Sequence, residues 1–124
     1  MEEKGNWYKR VGYPTENRLL KRLQKEGWLC YRTAGSRGER AVDLIAIKRD
    51  PITNQVIIRF IQAKATKDER KFEKPLRCLS KKEKEELRYL CELFKDYDNI
   101  KVELFVKKRY SKDKKFVDLK KELL

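Results

Sequence analysis

The 124-residue sequence contains no histidine, and this absence removes several kinds of active site at once. Ser-His-Asp triads, Cys-His pairs, HNH-type nuclease sites and all metal sites with imidazole ligands depend on that side chain. Any catalysis by this chain therefore has to use carboxylates, amides, lysines and water.

Cysteines and long apolar runs are also scarce. The three cysteines, Cys30, Cys78 and Cys91, show no C-x-x-C spacing, which argues against a disulfide framework or a zinc ribbon and favours buried free thiols. No apolar run approaches the roughly 18 residues of a membrane span, and the opening residues MEEKGNWYKR do not resemble a signal peptide. We therefore expect a cytoplasmic protein that does not act at a membrane.

Positive charge is what the sequence has in abundance. Lys and Arg number 33 against 20 for Asp and Glu, which gives a net charge of +13. A surplus of this size indicates a polyanionic partner, and nucleic acid is the main candidate. Since 40% of the residues are hydrophobic, the chain can bury one core, and we predict one domain over residues 1–124.

The N-terminal third predicts an arm followed by a helix. Residues 1–12 are basic and polar and are predicted to form an arm, in which Trp7 and Tyr8 could stack on bases or pack against protein. Pro14 is expected to begin an amphipathic helix that ends near Glu26, and Gly27 suits a left-handed C-terminal cap.

The rest of the chain predicts strands and one further long helix. The expected strands cover residues 28–32, 42–48, 55–65 and 100–107, with a β-hairpin between the second and the third. Ser80 and Glu83 form a capping box at the start of a helix that runs to about Tyr97. Residues 67–79 are predicted to be a surface loop, and 116–124 a terminal helix or strand. This order predicts an α/β fold, with a mixed central sheet flanked by helices.

Four polar side chains are candidates for chemistry because the predicted elements could bring them together. Glu16 lies on the apolar stripe of the first helix, Asp43 lies inside a buried strand, and Gln62 and Lys64 share one face of the next strand. A buried carboxylate needs a cation or strong donors beside it. An Asp43–Lys64 salt bridge would satisfy this need without any catalytic role.

The functional alternative is a site for a hard divalent cation. The oxygens of Asp43, Gln62 and the Ala63 carbonyl group are ligands of the type that Mg²⁺ prefers, and Glu16 could bind through water. Lys64 would then orient a water nucleophile or neutralise charge on a phosphate.

These residues also carry a family resemblance. Asp43 followed by Gln62-Ala63-Lys64 resembles the PD-(D/E)xK nuclease motif. Together with Glu16, the segment Arg32-Thr33-Ala34-Gly35-Ser36 and the strand Val42–Ala46, it resembles the archaeal and archaeal-viral Holliday junction resolvases over roughly residues 10–94. The resemblance implies a restriction-endonuclease-like domain, a homodimer, and Mg²⁺- or Mn²⁺-dependent hydrolysis of four-way DNA junctions.

The resemblance also assigns roles to individual residues. It implies an active site of Glu16, Ser36, Asp43, Gln62 and Lys64. Arg10 and Arg32 match residues that contact DNA phosphates in the family, and we add Arg37 to this set. Without the resemblance, the sequence favours a turn hydroxyl for Ser36 and solvated surface positions for Arg32 and Arg37. The basic C-terminal segment, residues 108–124, could extend the phosphate-binding face, although solvated surface charge is the simpler interpretation.

One position departs from the family pattern. Gln62 stands where resolvases usually have glutamate, so the site has one negative charge fewer and is expected to bind its metal more weakly. Two alternatives therefore stay open: a nuclease of the same fold that cuts other DNA structures, and a DNA-binding module that has lost catalysis.

Overall fold

The computed structural model describes the backbone of residues 2–33 and 40–124, and the side chains of residues 14–33 and 40–124. In chain order the helices and strands are α1 (Glu2–Lys25), β1 (Leu29–Arg32), β2 (Leu44–Arg49), β3 (Val56–Thr66), α2 (Glu69–Glu73), α3 (Lys81–Leu93), β4 (Ile100–Lys108), β5 (Lys114–Asp118) and α4 (Leu119–Leu123). A 3₁₀ turn, Pro75–Cys78, lies between α2 and α3.

The five strands form one mixed sheet in the order β1-β2-β3-β4-β5. The β2–β3 hairpin lies at its centre, with Leu44 opposite Ile61, and confirms the predicted hairpin. Its turn is closed by Asp50, whose carboxylate accepts the Ile52 N–H at 2.9 Å. Only β3 and β4 are parallel. As a result, the carboxyl ends of β1, β3 and β4 and the start of β2 meet at one end of the sheet.

Two apolar cores cover the two faces of the sheet, because side chains alternate across each strand. The first core lies under α1 and contains Leu19, Leu23, Cys30, Leu44, Ala46, Ile61, Ala63 and Phe105. The second lies under α3 and α4 and contains Ala41, Leu79, Leu87, Cys91, Val102, Leu104, Val106 and Leu119. Neighbouring residues of β3 therefore face different helices, which decides how the polar residues of that strand are distributed.

Three segments differ from the sequence prediction. Residues 2–12 belong to α1 rather than to an arm, and Pro14 lies inside the helix. Proline has no N–H and so removes one helical hydrogen bond. The C-terminal half of α1, which packs on the sheet, supports propagation of the helix through this position. Residues 67–79 contain α2 and the 3₁₀ turn, since Asp68 caps α2 and Phe72 packs on the second core. The terminal segment forms both a strand and a helix, with Asp118 as the helix cap.

Gly27 ends α1 as predicted, in a Schellman motif. Its φ is +92°, and the N–H groups of Trp28 and Gly27 bond the carbonyls of Leu23 and Gln24 at 3.0 and 3.1 Å. Lys48 covers the remaining end by donating to the Glu26 carbonyl at 2.8 Å. The motif turns the chain directly into β1.

We expect Gly27→Ala to lower the free energy of unfolding by about 1 kcal/mol, because a side chain is strained at this φ. Space is not the cause, since the nearest atom to an added Cβ would be Lys48 Cε at 3.6 Å. Gly27→Asn is the control and should lose less, because Asn tolerates the left-handed region. Urea unfolding measures both variants, and an alanine variant as stable as the wild type would contradict this account of the cap.

Candidate active site

Asp43 lies at the end of the sheet where β1 and β3 finish. It directly precedes β2, so the prediction that it lies inside the strand is wrong by one residue. Its backbone nevertheless continues the sheet, because its N–H bonds the Ile61 carbonyl at 2.8 Å and its carbonyl accepts the Thr33 N–H at 3.0 Å. Its Oδ2 accepts the Ala63 N–H at 2.9 Å. The carboxylate is therefore held against the backbone of β3.

Glu16 of α1 reaches the same place from the first face of the sheet. Burial raises the pKa of Glu16, while the charge of Arg32, a side-chain hydrogen bond with Asp43 and the charge of Lys64 oppose that rise. The Arg32 Nε atom lies 3.6 Å from Glu16 Oε2, and both side chains are less than a quarter exposed. Arg32 thus forms a half-buried ion pair, and the solvated-surface alternative for it is wrong.

Asp43 shows the strongest electrostatic perturbation of the site. Burial raises its pKa from 3.8 to about 7; the Ala63 N–H and Lys64 oppose the rise, and the charges of Glu16 and Glu83 add to it. A hydrogen bond between the Glu16 and Asp43 carboxyl groups needs a proton on one of them, and the raised pKa of both groups favours a protonated pair.

Gln62 and Lys64 face α3 on the second side of the sheet, as the alternation of β3 predicted. Both meet Glu83: its Oε2 atom accepts from Gln62 Nε2 at 3.2 Å and from Lys64 Nζ at 2.8 Å. Gln62 is only 3% exposed, and its Oε1 atom has no hydrogen-bond partner among the described residues.

These contacts exclude the Asp43–Lys64 salt bridge that the sequence left open as an alternative to a metal site. Lys64 pairs with Glu83, and within the part of the chain described here no ion pair within 4.0 Å joins it to Asp43. Glu83 is also the site residue that sequence reasoning missed. It was assigned only to the capping box, which is present, and nothing in the sequence indicated that the same carboxylate would reach β3.

The donor set fits a hard cation in chemistry, although the described residues contain no group of three acids, histidines or cysteines placed to hold a metal. Asp43 offers a half-buried carboxylate whose pKa is further raised by the charges of Glu16 and Glu83, and the buried Gln62 Oε1 has no donor among the described residues. In a strand the N–H and C=O of one residue point to the same side, so the Ala63 carbonyl is directed to the side on which its N–H meets Asp43. All three are oxygen ligands.

Three predicted site residues cannot be placed relative to Asp43, Gln62 and Lys64. Ser36 and Arg37 lie outside the described residues, and Arg10 belongs to α1 but its side chain is not among those described. The three cysteines are free, as predicted. Among the described helices, none has the length and apolar character needed to cross a membrane.

Among solved structures, the chain is similar to Archaeoglobus fulgidus Hjc, described as a Holliday junction resolvase from an archaeal hyperthermophile. The similarity covers 87% of this chain and 72% of that chain, with a TM-score of 0.57 and 20% sequence identity. No family model and no curated protein sequence matches the chain. The likeness establishes the fold: one α/β domain whose five-stranded mixed sheet is flanked by helices, as in the Hjc nuclease.

The raised pKa of Asp43 predicts that Asp43→Asn stabilises the protein in EDTA above neutral pH. A pKa raised on folding favours the folded state at low pH, and this contribution is lost between pH 3.8 and about 7. The charged carboxylate then costs up to about 4 kcal/mol, and asparagine, which still accepts from Ala63 and can donate to Glu16, avoids that cost. The expected gain is about 1–4 kcal/mol at pH 8, falling to zero near pH 4.

Urea unfolding across this pH range measures the effect. Asp50→Asn is the matched control, because backbone hydrogen bonds from Ile52 and Thr53 lower the pKa of the Asp50 carboxylate. The expected change in stability therefore has the opposite sign. If Asp43→Asn were no more stable than the wild type at pH 8, the carboxylate would not be electrostatically strained.

Proposed function

We propose that this chain is a metal-dependent DNA endonuclease that cuts branched DNA, with four-way junctions as its preferred substrate. The observation that carries the proposal is the half-buried Asp43 carboxylate, whose pKa is raised and which lies near Glu16 and Lys64 in a fold shared with a Holliday junction resolvase. The neighbouring residue of β3, Gln62, adds a buried carbonyl oxygen that has no partner among the described residues. The family resemblance of the sequence supports the same substrate. Cutting two opposed strands needs two sites, so the active species is proposed to be a homodimer.

The residues divide the work. Asp43, Gln62 Oε1 and the Ala63 carbonyl would hold Mg²⁺ or Mn²⁺, with Glu16 as a ligand through water. When bound, the cation supplies a lower pKa for a coordinated water and positive charge beside the phosphate. Lys64 would contribute a mobile positive charge to the scissile phosphate. Ser36 remains a proposed catalytic residue, and Arg10, Arg32 and Arg37 remain proposed phosphate contacts.

The β4–β5 hairpin supplies a further candidate surface for DNA at the same end of the sheet. Its tip is joined to the end of β3 by the Arg109 N–H, which bonds the Thr66 carbonyl at 2.8 Å. Tyr110 is 85% exposed there, and Lys67 Nζ and Arg109 Cζ lie 5.6 and 5.1 Å from its ring centre. An exposed aromatic ring beside two cations suits stacking and phosphate contact. The hairpin tip that carries it is bonded to Thr66, two residues beyond Lys64.

Incubation with a four-way junction and a matched duplex, in Mg²⁺ or in EDTA, tests the activity. We expect Mg²⁺-dependent cutting of the junction by the wild type. Asp43→Asn should abolish cutting yet bind the junction within about threefold of wild type, because the distributed phosphate contacts remain.

The other outcomes separate the rival functions. Equal cutting of junction and duplex would indicate a nuclease without this selectivity. Junction binding by the wild type with no cutting in either cation would indicate a DNA-binding module without catalysis, and would overturn the proposal.

We expect Arg109→Ala to weaken junction binding about three- to tenfold and to reduce the log–log salt slope by about 1, as loss of one phosphate contact does. Arg49→Ala is the matched control. It removes the same charge at the opposite end of the sheet, where Arg49 bonds the Asn54 carbonyl at 2.9 Å, and should change neither quantity. Equal effects of the two substitutions in a salt titration would exclude the hairpin from the binding face.

A further inference from the structure

Glu83 uses both of its carboxylate oxygens, and in different ways. Oε1 accepts the Ser80 N–H at 2.9 Å and completes the capping box of α3. Oε2 accepts from Gln62 Nε2 and Lys64 Nζ on β3. The side chain is 21% exposed and joins the start of α3 to the site.

The capping role alone does not require a negative charge. A capping box accepts glutamine as well as glutamate at this position, because one acceptor oxygen is sufficient. The second oxygen is therefore the informative one. It places a carboxylate beside Gln62, which stands where the PD-(D/E)xK motif has an acidic residue. The charge of Glu83 also contributes to the raised pKa of Asp43.

The hydrogen bond to Glu83 also fixes the orientation of the Gln62 side-chain amide, that is, which of its two ends faces Glu83. A glutamine side chain presents an NH₂ group as readily as a carbonyl oxygen, and only the oxygen can bind a cation. With the NH₂ group donating to Glu83, the Oε1 atom is left buried and without a partner among the described residues. The reversed amide would bring two oxygens together without a proton between them, so the network favours one orientation.

We propose that Glu83 is a positioning residue that moves the missing acid of the metal site from β3 to α3. It orients Gln62 so that the carbonyl oxygen is available as a ligand, it holds Lys64 away from Asp43, and it returns the negative charge that position 62 lacks. This proposal rests on the proposed metal-dependent function.

The arrangement implies that positions 62 and 83 are coupled. Gln62→Glu alone places two carboxylates at the 3.2 Å contact, where like charges oppose each other. Exchanging the two residues, in Gln62→Glu/Glu83→Gln, restores one carboxylate and one amide at the same contact and keeps the capping box. The double exchange should therefore preserve metal binding, whereas each single substitution should weaken it.

Mn²⁺ binding to the DNA-free protein, followed by the electron paramagnetic resonance signal of free Mn²⁺, tests the proposal without any nuclease assay. We expect Glu83→Gln to weaken Mn²⁺ binding at least tenfold, as loss of a residue that supports metal ligands does. The exchanged double variant should return to within about threefold of wild type. Glu85→Gln, an equal change of charge at an exposed position of α3, should bind as the wild type does.

The outcomes distinguish this proposal from the proposed function. Wild-type-like Mn²⁺ binding by Glu83→Gln, or a double variant no better than Gln62→Glu, would overturn the role of Glu83 while leaving a metal site in place. Absence of Mn²⁺ binding by the wild type would overturn the metal-dependent function and this role with it. Should Glu83→Gln fail to fold in urea controls, the comparison of Gln62→Glu with the double variant decides.

Discussion

The hydrogen bond from the Ala63 N–H to Asp43 Oδ2, at 2.9 Å, is the contact on which the rest of the site depends. It links the residue before β2 to the C-terminal part of β3, beyond the last paired residues of the hairpin, Leu44 and Ile61. Because a one-residue shift in register would turn every side chain of β3 to the opposite face, the same bond is compatible with only one arrangement of Gln62 and Lys64. The register of the β2–β3 hairpin therefore also fixes the positions of the site residues on β3.

The two cores then complete the site from opposite sides. Packing of Leu19 and Leu23 under the first face brings Glu16 of α1 to Asp43, and packing of Leu87 and Cys91 under the second brings Glu83 of α3 to Lys64. Neither acid is close to Asp43 in the sequence. A rearrangement of either core would thus change the charge around Asp43 even if the hairpin kept its structure.

The carboxylates of the site are electrostatically unfavourable in a position where a bound cation would stabilise them. Three carboxylates, those of Glu16, Asp43 and Glu83, share two cations, Arg32 and Lys64, and burial raises the pKa of Asp43 to about 7. Such strain is typical of sites whose charge is balanced by a ligand rather than by the protein itself. The ion pair between Arg59 and Glu103, at 2.5 Å, is different, since it is balanced internally and lies between the rings of Trp28 and Phe116.

Local patterns in the sequence determined most of the elements, because periodicity, Gly27 and the Ser80 capping box act within a few residues. They also singled out Glu16, Asp43, Gln62 and Lys64, since polar residues on otherwise apolar faces are conspicuous. The fold class followed from the element order. The start of α1 and the short elements in residues 67–79 were not predicted, because they lack a periodic apolar pattern.

Only the tertiary structure decided which charges meet. Lys64 has acidic residues available on several elements, and the sequence analysis considered only Asp43 as a partner for it. The packing of α3 against β3 gave it Glu83 instead. Glu83 had a complete local explanation as a helix cap, so nothing in the sequence required a second role. A carboxylate has two oxygens, and which distant residue the second one reaches depends on how the helix packs on the sheet.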